Sequence, residues 1–178
     1  MKPAFSLALP PIKTPLTLIT EAQIEALLER SRLSPRKRMI LPFHKSDNVL
    51  LHRMLNAIQP QSYIPPHRHF TSQKSESIIL LRGAICYFTF DESGNILEKY
   101  HLKAGTLRFG VDTEPNIFHS FIALEEDTVI YEVKNGPYVR ETDKDFPDWS
   151  PAEGAEEAKG YLEWLYEEAK SLLGNFAN

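Results

Sequence analysis

Between about residues 49 and 134 the apolar residues come in short runs separated by turn formers. The runs are "NVLLHRMLNAI", "SIILLRG", "ICYFTF", "ILEKYHL", "TLRFG", "NIFHSFIAL" and "TVIYEVK". Each is rich in β-branched and aromatic residues and is strand length. "DESGN", between the third and fourth, has the composition of a hairpin turn. Many short strands with no helical period between them predict an antiparallel sandwich or barrel, not a parallel sheet.

The pattern differs on both flanks. In "TEAQIEALLERSR", Ile24, Leu27 and Leu28 form a short apolar stripe of helical spacing, and Thr20 with Gln23 can form a capping box. "SPRKR" ends this helix, with basic residues at the negative end of the dipole and Pro35 as a breaker. Beyond Pro151, Tyr161, Leu162, Leu165, Ala169, Leu172 and Leu173 recur at helical spacing, and Gly174 is a natural stop. This second helix is expected to pack on the outside of the sheets. Prolines at 3, 10, 11 and 15 make residues 1–18 an extended arm. The expected organisation is therefore an arm over 1–18, a helix and connector over 19–45, a β-barrel domain over 46–140, and a C-terminal loop and helix over 141–178.

Composition narrows the function classes. The 178 residues suit one domain with a real core; 42% are hydrophobic and 25% charged, which is ordinary for a soluble globular chain. A formal charge of −4 leaves no basic face large enough for nucleic acid as a main partner. The single cysteine, Cys86, excludes an intramolecular disulfide, suits a reducing compartment, and reads as a small buried apolar residue within "AICYFTF". The first twenty residues lack the uninterrupted apolar core and cleavage site of a signal peptide, and no run reaches membrane-spanning length. The expected compartment is the cytoplasm. Exposed sheet edges favour pairing, so a homodimer is expected, with the arm reaching across to its partner.

The chemistry concentrates in "YIPPHRHFTSQKSESIILLRG", residues 63–83. Residues i and i+2 of a strand face the same way, so His67 and His69 project together, and Pro65 and Pro66 stiffen the approach. Glu76 shares a face with Ile78 and Leu80, and a carboxylate on a core-facing row needs a proton, a partner or a cation. In "EPNIFHSF", Pro115 and Asn116 form a turn where Asn tolerates a left-handed conformation, and His119 follows in an apolar strand. His67, His69, Glu76 and His119 are thus the candidate metal ligands, suited to a divalent transition metal: Fe, Mn, Ni, Zn or Cu. The competing readings are partly exposed strand residues for His67 and His69, a satisfied core histidine for His119, and a solvated strand start for Glu76. His44 is a candidate cavity residue, whereas His52 and His101 have no partner pattern and are expected at the surface or an edge.

These residues resemble the first cupin motif, G-x5-H-x-H-x3-4-E-x6-G, at Gln61, His67, His69, Glu76 and Gly83. Gln61 stands at the first glycine, and six residues separate His69 from Glu76. The second motif, G-x5-P-x-G-x2-H-x3-N, is matched at His119, with Asn116 at a glycine position, Pro115 one place late and Ala123 at the asparagine. The likeness extends through "SPRKRMILPFH", "RMLNAIQPQSYIPPHRH", "FHSFIALEEDTVIYEVKNGPY" and "DKDFPDWSPAEG" to the WbuC-type cupin metalloproteins, encoded among bacterial surface-polysaccharide genes. That resemblance covers about residues 19–155. It implies a mainly β fold, the cupin double-stranded β-helix or jelly-roll, with a metal between the sheets.

Ligand-pocket candidates on the strands are Arg53, Asn56, Tyr87, Arg108 and Tyr131. Arg53 shares strand parity with Leu55 and Ala57; if that face is inward, its guanidinium requires an anion such as a carboxylate or phosphate. No nucleophile elbow, phosphate loop or CxxC pair is present, and no catalytic residue is identified. The expected function is a metal-dependent isomerase or epimerase of a sugar or sugar-derived acid, with the carbohydrate implied by the resemblance alone. The alternatives are an Fe(II)-dependent dioxygenase and a non-catalytic small-ligand-binding or regulatory cupin.

Overall fold

The computed structural model describes residues 6–69, 74–141 and 143–173. Two antiparallel sheets face each other. One has the order β1 (Arg38–Pro42), β2 (Leu51–Ile58), β8 (Thr128–Asn135), β3 (Glu76–Arg82) and β6 (Gly110–Thr113). The other has the order β5 (Ile96–Lys103), β4 (Ala84–Phe90) and β7 (Phe118–Ala123), and residues 67–68 extend it through an antiparallel bridge from His67 to His119. Spatial neighbours β2–β8, β3–β8 and β4–β7 are remote in sequence, as a jelly-roll requires. The fold is a mainly β jelly-roll, a double-stranded β-helix flanked by two helices.

Strand parity decides which side chains enter the barrel. Ile58, Ile78, Leu80, Ile85, Tyr87, Phe121 and Ile130 fill the space between the sheets. The opposite parity faces two outer layers. Helix α1 (Glu21–Leu33) lays Ile24, Leu27 and Leu28 on Leu55, Ala57 and Val129, and its Thr20–Gln23 capping box forms as expected. Helix α2 (Glu157–Leu173) packs Ala158, Leu162, Leu165 and Ala169 onto Cys86, Phe88, Phe118 and Ile122 of the other sheet. Cys86 is fully buried there, and burial pushes its thiol up to about 12, so it behaves as a small apolar residue.

Two local features differ from the sequence expectation. Residues 38–42, placed in a connector, form the edge strand β1, because Met39 and Leu41 reach the core under α1. "TLRFG" is not a strand. Leu107 is fully exposed, and pairing begins only at Gly110, where the chain reaches β3. In the described part of the proline-rich arm, Ala8 bridges to Ile40, and Leu9 and Ile12 donate backbone hydrogen bonds to Ile40 and Pro42. This stretch covers an open sheet edge. The expected stop at Gly174 lies outside the described residues.

Gly83, at the end of the first motif, has a steric reason to be glycine. Its φ is 74°, and an added Cβ would lie 2.3 Å from Thr128 Oγ1 and 2.8 Å from the Thr128 backbone. Gly105 has a similar φ of 71° but meets nothing within 4 Å. Gly105→Ala should therefore cost only the left-handed backbone penalty, roughly 1 kcal/mol. Gly83→Ala adds overpacking and should cost about 2–4 kcal/mol, read as paired urea unfolding midpoints.

Candidate metal centre

The histidine site is assembled by two backbone features. His67 and His119 are cross-strand partners: the His67 N–H donates to the His119 carbonyl at 3.0 Å, and the His119 N–H donates back at 2.9 Å. Opposed residues in such a pair present their side chains on one face, so both imidazoles enter the barrel with ring centroids 4.6 Å apart. His69 follows by strand alternation, and its carbonyl accepts from Asn116 N–H at 3.0 Å. Asn116 has φ 69°, the left-handed turn expected from "EPN". The ligand atoms of His67, His69 and His119 all lie within 4.8 Å of one another, and all three residues are buried.

The orientation of each ring is set from behind. His67 Nδ1 donates to the Pro65 carbonyl at 2.9 Å, His119 Nδ1 to the Ile117 carbonyl at 2.8 Å, and His69 Nδ1 to the Asp143 carbonyl at 2.5 Å. A carbonyl can only accept, so in each neutral ring the proton sits on Nδ1 and the lone pair on Nε2. The Nε2 atoms of His69 and His119 are buried with no hydrogen-bond partner among the described residues. Glu76 comes from β3 of the facing sheet. Its Oε2 is 3.2 Å from His119 Nε2 and its Oε1 is 4.0 Å from His69 Nε2. A carboxylate and an imidazole lone pair are both acceptors, so this approach calls for a proton or a cation between them. The buried donor set of three Nε2 atoms and one carboxylate fits a divalent transition metal.

The interior also holds charges that the sequence reading overlooked. Lys134 lies directly opposite Glu76 in the β3–β8 register, and Glu132 opposite Ile78. Both point inward from "TVIYEVK", on the row of Ile130; the period-2 rule applied to that strand would have found them. Burial, followed by the neighbouring Glu76, holds the Glu132 carboxyl well above the usual range. Burial opposes the charge of Lys134, but Glu132, Asp143 and Glu76 more than offset it and raise the ammonium pKa. Lys144, from the segment that crosses the site, is lowered to about 8 by burial and by Lys134. Lys74 and Lys134 both donate to the buried Asp143 carboxylate, at 2.9 and 3.0 Å.

The five pocket candidates separate clearly. Tyr87 faces the barrel, stacks on His119 at 5.8 Å and hydrogen-bonds Thr113 at 2.8 Å. Asn56 is also buried and inward, and its Oδ1 has no partner among the described residues. Arg108 is exposed on the wall of an open groove of about 1350 Å³, which Tyr87 and Thr113 also line. Arg53 and Tyr131 lie away from the barrel interior and line a shallow outer pocket with Phe43 and Lys45. The Leu55 and Ala57 face is the one under α1, so Arg53 points outward and needs no buried anion. His44 and His52 stack on each other at 4.1 Å. His52 is therefore buried, contrary to expectation, with its Nε2 on the Asp47 carbonyl at 3.2 Å.

A family model described as a domain of unknown function (DUF6016) matches residues 19–102. No curated protein matches the sequence. Among solved structures, the chain is similar to the capsular polysaccharide assembling protein CapF from Staphylococcus aureus, with 18% identity and TM-score 0.49 over 61% of this chain and 29% of that one. It is similar to Lactobacillus farciminis oxalate decarboxylase in a formate complex, with 20% identity and TM-score 0.43 over 56% and 28%. KdgF from Halomonas sp. shows 18% identity and TM-score 0.41 over 58% and 80%. The chain thus spans less than a third of the length of the CapF structure it matches. Among the described residues no helix is long and apolar enough to cross a membrane.

The site makes acid stability predictable. Burial, then Lys144, holds His67 well below its ordinary range, and burial lowers His69 to about 4. Both are neutral when folded and titrate near 6.5 when unfolded, so on acidification the unfolded chain takes up protons first. Their contribution is fully present above about pH 6.5 and is lost as pH falls towards 4. Urea unfolding of metal-free protein should show stability falling below pH 6.5, by up to about 1.4 kcal/mol per pH unit for each proton taken up. In His69→Gln the dependence should be shallower.

Proposed function

We propose that this protein is a cupin metalloprotein whose barrel holds one divalent transition metal through the Nε2 atoms of His67, His69 and His119 and the carboxylate of Glu76. The observation that carries this reading is the pair of buried, unpartnered Nε2 atoms, with Glu76 Oε2 set 3.2 Å from one of them. A bound metal would polarise a substrate carbonyl or hydroxyl, or lower the pKa of bound water. Protein groups would do the rest. Glu132, with its raised carboxyl pKa, can give and accept a proton near neutral pH, and Tyr87 keeps one side of the His119 ring dry.

The reaction class we propose is isomerisation or epimerisation of a sugar or sugar-derived acid by proton transfer beside the metal. The carbohydrate rests on the resemblance of "DKDFPDWSPAEG" and its companion stretches to the WbuC-type proteins. The cytoplasm and a second copy of the chain complete the proposal. Edge strands β5 and β6, which have no outer partner among the described strands, support the pairing.

Elemental analysis of purified protein should give one transition metal per chain. His67→Ala and His119→Ala should each lower affinity by well over the roughly 10–100-fold expected for loss of an outer-shell contact, and Glu76→Gln by less. Saturating metal at about 100 times Kd should add about 2.7 kcal/mol of stability to the wild type and none to the histidine variants. Turnover of sugar acids in anaerobic buffer with Mn, Ni or Zn is the expected activity; iron-dependent oxygen uptake would replace it with the dioxygenase reading.

A further inference from the structure

A chain segment that follows β8 crosses the barrel mouth and places Asp143 beside the histidine cluster. Its backbone carbonyl holds His69 Nδ1 at 2.5 Å, while its side chain accepts Lys74 Nζ on Oδ1 at 2.9 Å and Lys134 Nζ on Oδ2 at 3.0 Å. All three charged side chains are nearly excluded from water, Asp143 at 2%, Lys74 at 10% and Lys134 at 11% exposure. Two ammonium groups thus close on the two oxygens of one carboxylate, on the side of the barrel where Lys134 faces Glu76.

The segment does not need this contact to stay in place. Asp145 and Arg68 exchange backbone hydrogen bonds at 2.9 and 3.0 Å, and the Arg68 guanidinium binds Asp145 Oδ2 at 2.7 Å. The Phe146 ring lies 6.0 Å from that of His67. The anchor at 145 and the carbonyl contact at 143 leave the Asp143 carboxylate free for a separate role. Charge points to that role. Lys74, Lys134 and Lys144 meet the carboxylates of Glu76 and Asp143 there, while burial and Glu76 hold the Glu132 carboxyl toward its neutral form. A divalent cation would add positive charge to a dry site where it is already in excess, which an anionic ligand would neutralise.

We infer that Lys74 and Lys134 form a carboxylate-binding subsite next to the metal centre, filled in the resting protein by the chain's own Asp143 and taken over by the carboxylate of an incoming ligand. The ligand class follows from the geometry: one planar carboxylate, one lysine per oxygen. The subsite deepens the metal reading and favours a sugar acid over a neutral sugar. Its cradle consists of lysines alone, so it can be tested without metal.

The probe is acetate, the side chain of aspartate as a free molecule, titrated against chloride at constant ionic strength with melting temperature as the readout. Metal-free Asp143→Ala should bind acetate saturably, at least tenfold more tightly than the wild type, and the double variant Lys134→Met/Asp143→Ala should lose that binding. Asp143→Asn, which keeps the shape of the segment, gives a second test: metal-loaded protein should bind D-gluconate more tightly than wild type does, with D-glucose as the neutral control. Acetate acting no differently from chloride on Asp143→Ala would overturn the subsite, as would unchanged gluconate affinity in Asp143→Asn if Asp143→Ala does not fold. Inorganic phosphate outcompeting acetate would overturn the carboxylate assignment. Acetate binding to a protein that never takes up metal would leave the subsite standing and remove the metal centre, so the two failures are separable.

Discussion

Three hydrogen bonds from ring nitrogens to backbone carbonyls govern everything else in this molecule. Pro65, Ile117 and Asp143 each offer a carbonyl to the Nδ1 of one histidine, and each thereby fixes a tautomer and turns an Nε2 lone pair toward a common point. Without them the same residues would form a dry polar cluster with no defined chemistry. With them, the interior contains an acceptor surplus that a proton or a metal must satisfy. The carbonyls come from three separate places in the chain: the Pro-Pro step, the turn before β7 and the segment that crosses the mouth. The site can therefore form only after the jelly-roll has closed.

The barrel meets this demand by keeping its two faces distinct. One parity of β4 and β7 serves α2, and the other holds Tyr87, His119 and Phe121 around the site. β2 and β8 divide in the same way, with Leu55, Ala57 and Val129 under α1 and Met54, Asn56, Glu132 and Lys134 among the buried or inward residues of the other parity. A one-residue slip in any of these strands would exchange ligand for lipophilic core, so the outer helices help to hold the register on which the histidines depend.

Much of this was legible in the sequence because the signals were local. The i, i+2 spacing of His67 and His69, the alternation of Glu76 with Ile78 and Leu80, the Asn116 turn and the Gly83 terminus are short-range consequences of backbone geometry. What escaped depended on which side of a sheet would be covered. Arg53 shares the parity of Leu55 and Ala57, but only the packing of α1 reveals that this face is outward. The anion logic attached to Arg53 belongs to Lys74 and Lys134, which sit in unremarkable sequence and gain meaning from Asp143, 69 positions beyond the first and nine beyond the second. His52 is similar: nothing in "LLHRM" announces a stacking partner at His44.

The most direct test of this account is the tautomeric state of the three histidines, read by long-range 15N–1H correlation in metal-free protein near pH 7.5. The structure requires His67, His69 and His119 each to carry a proton on Nδ1, and His67 and His69 to show an unprotonated Nε2. An unprotonated Nδ1 at any of the three, or imidazolium forms at His67 and His69, would mean that the lone pairs do not converge and that the site is no ligand set.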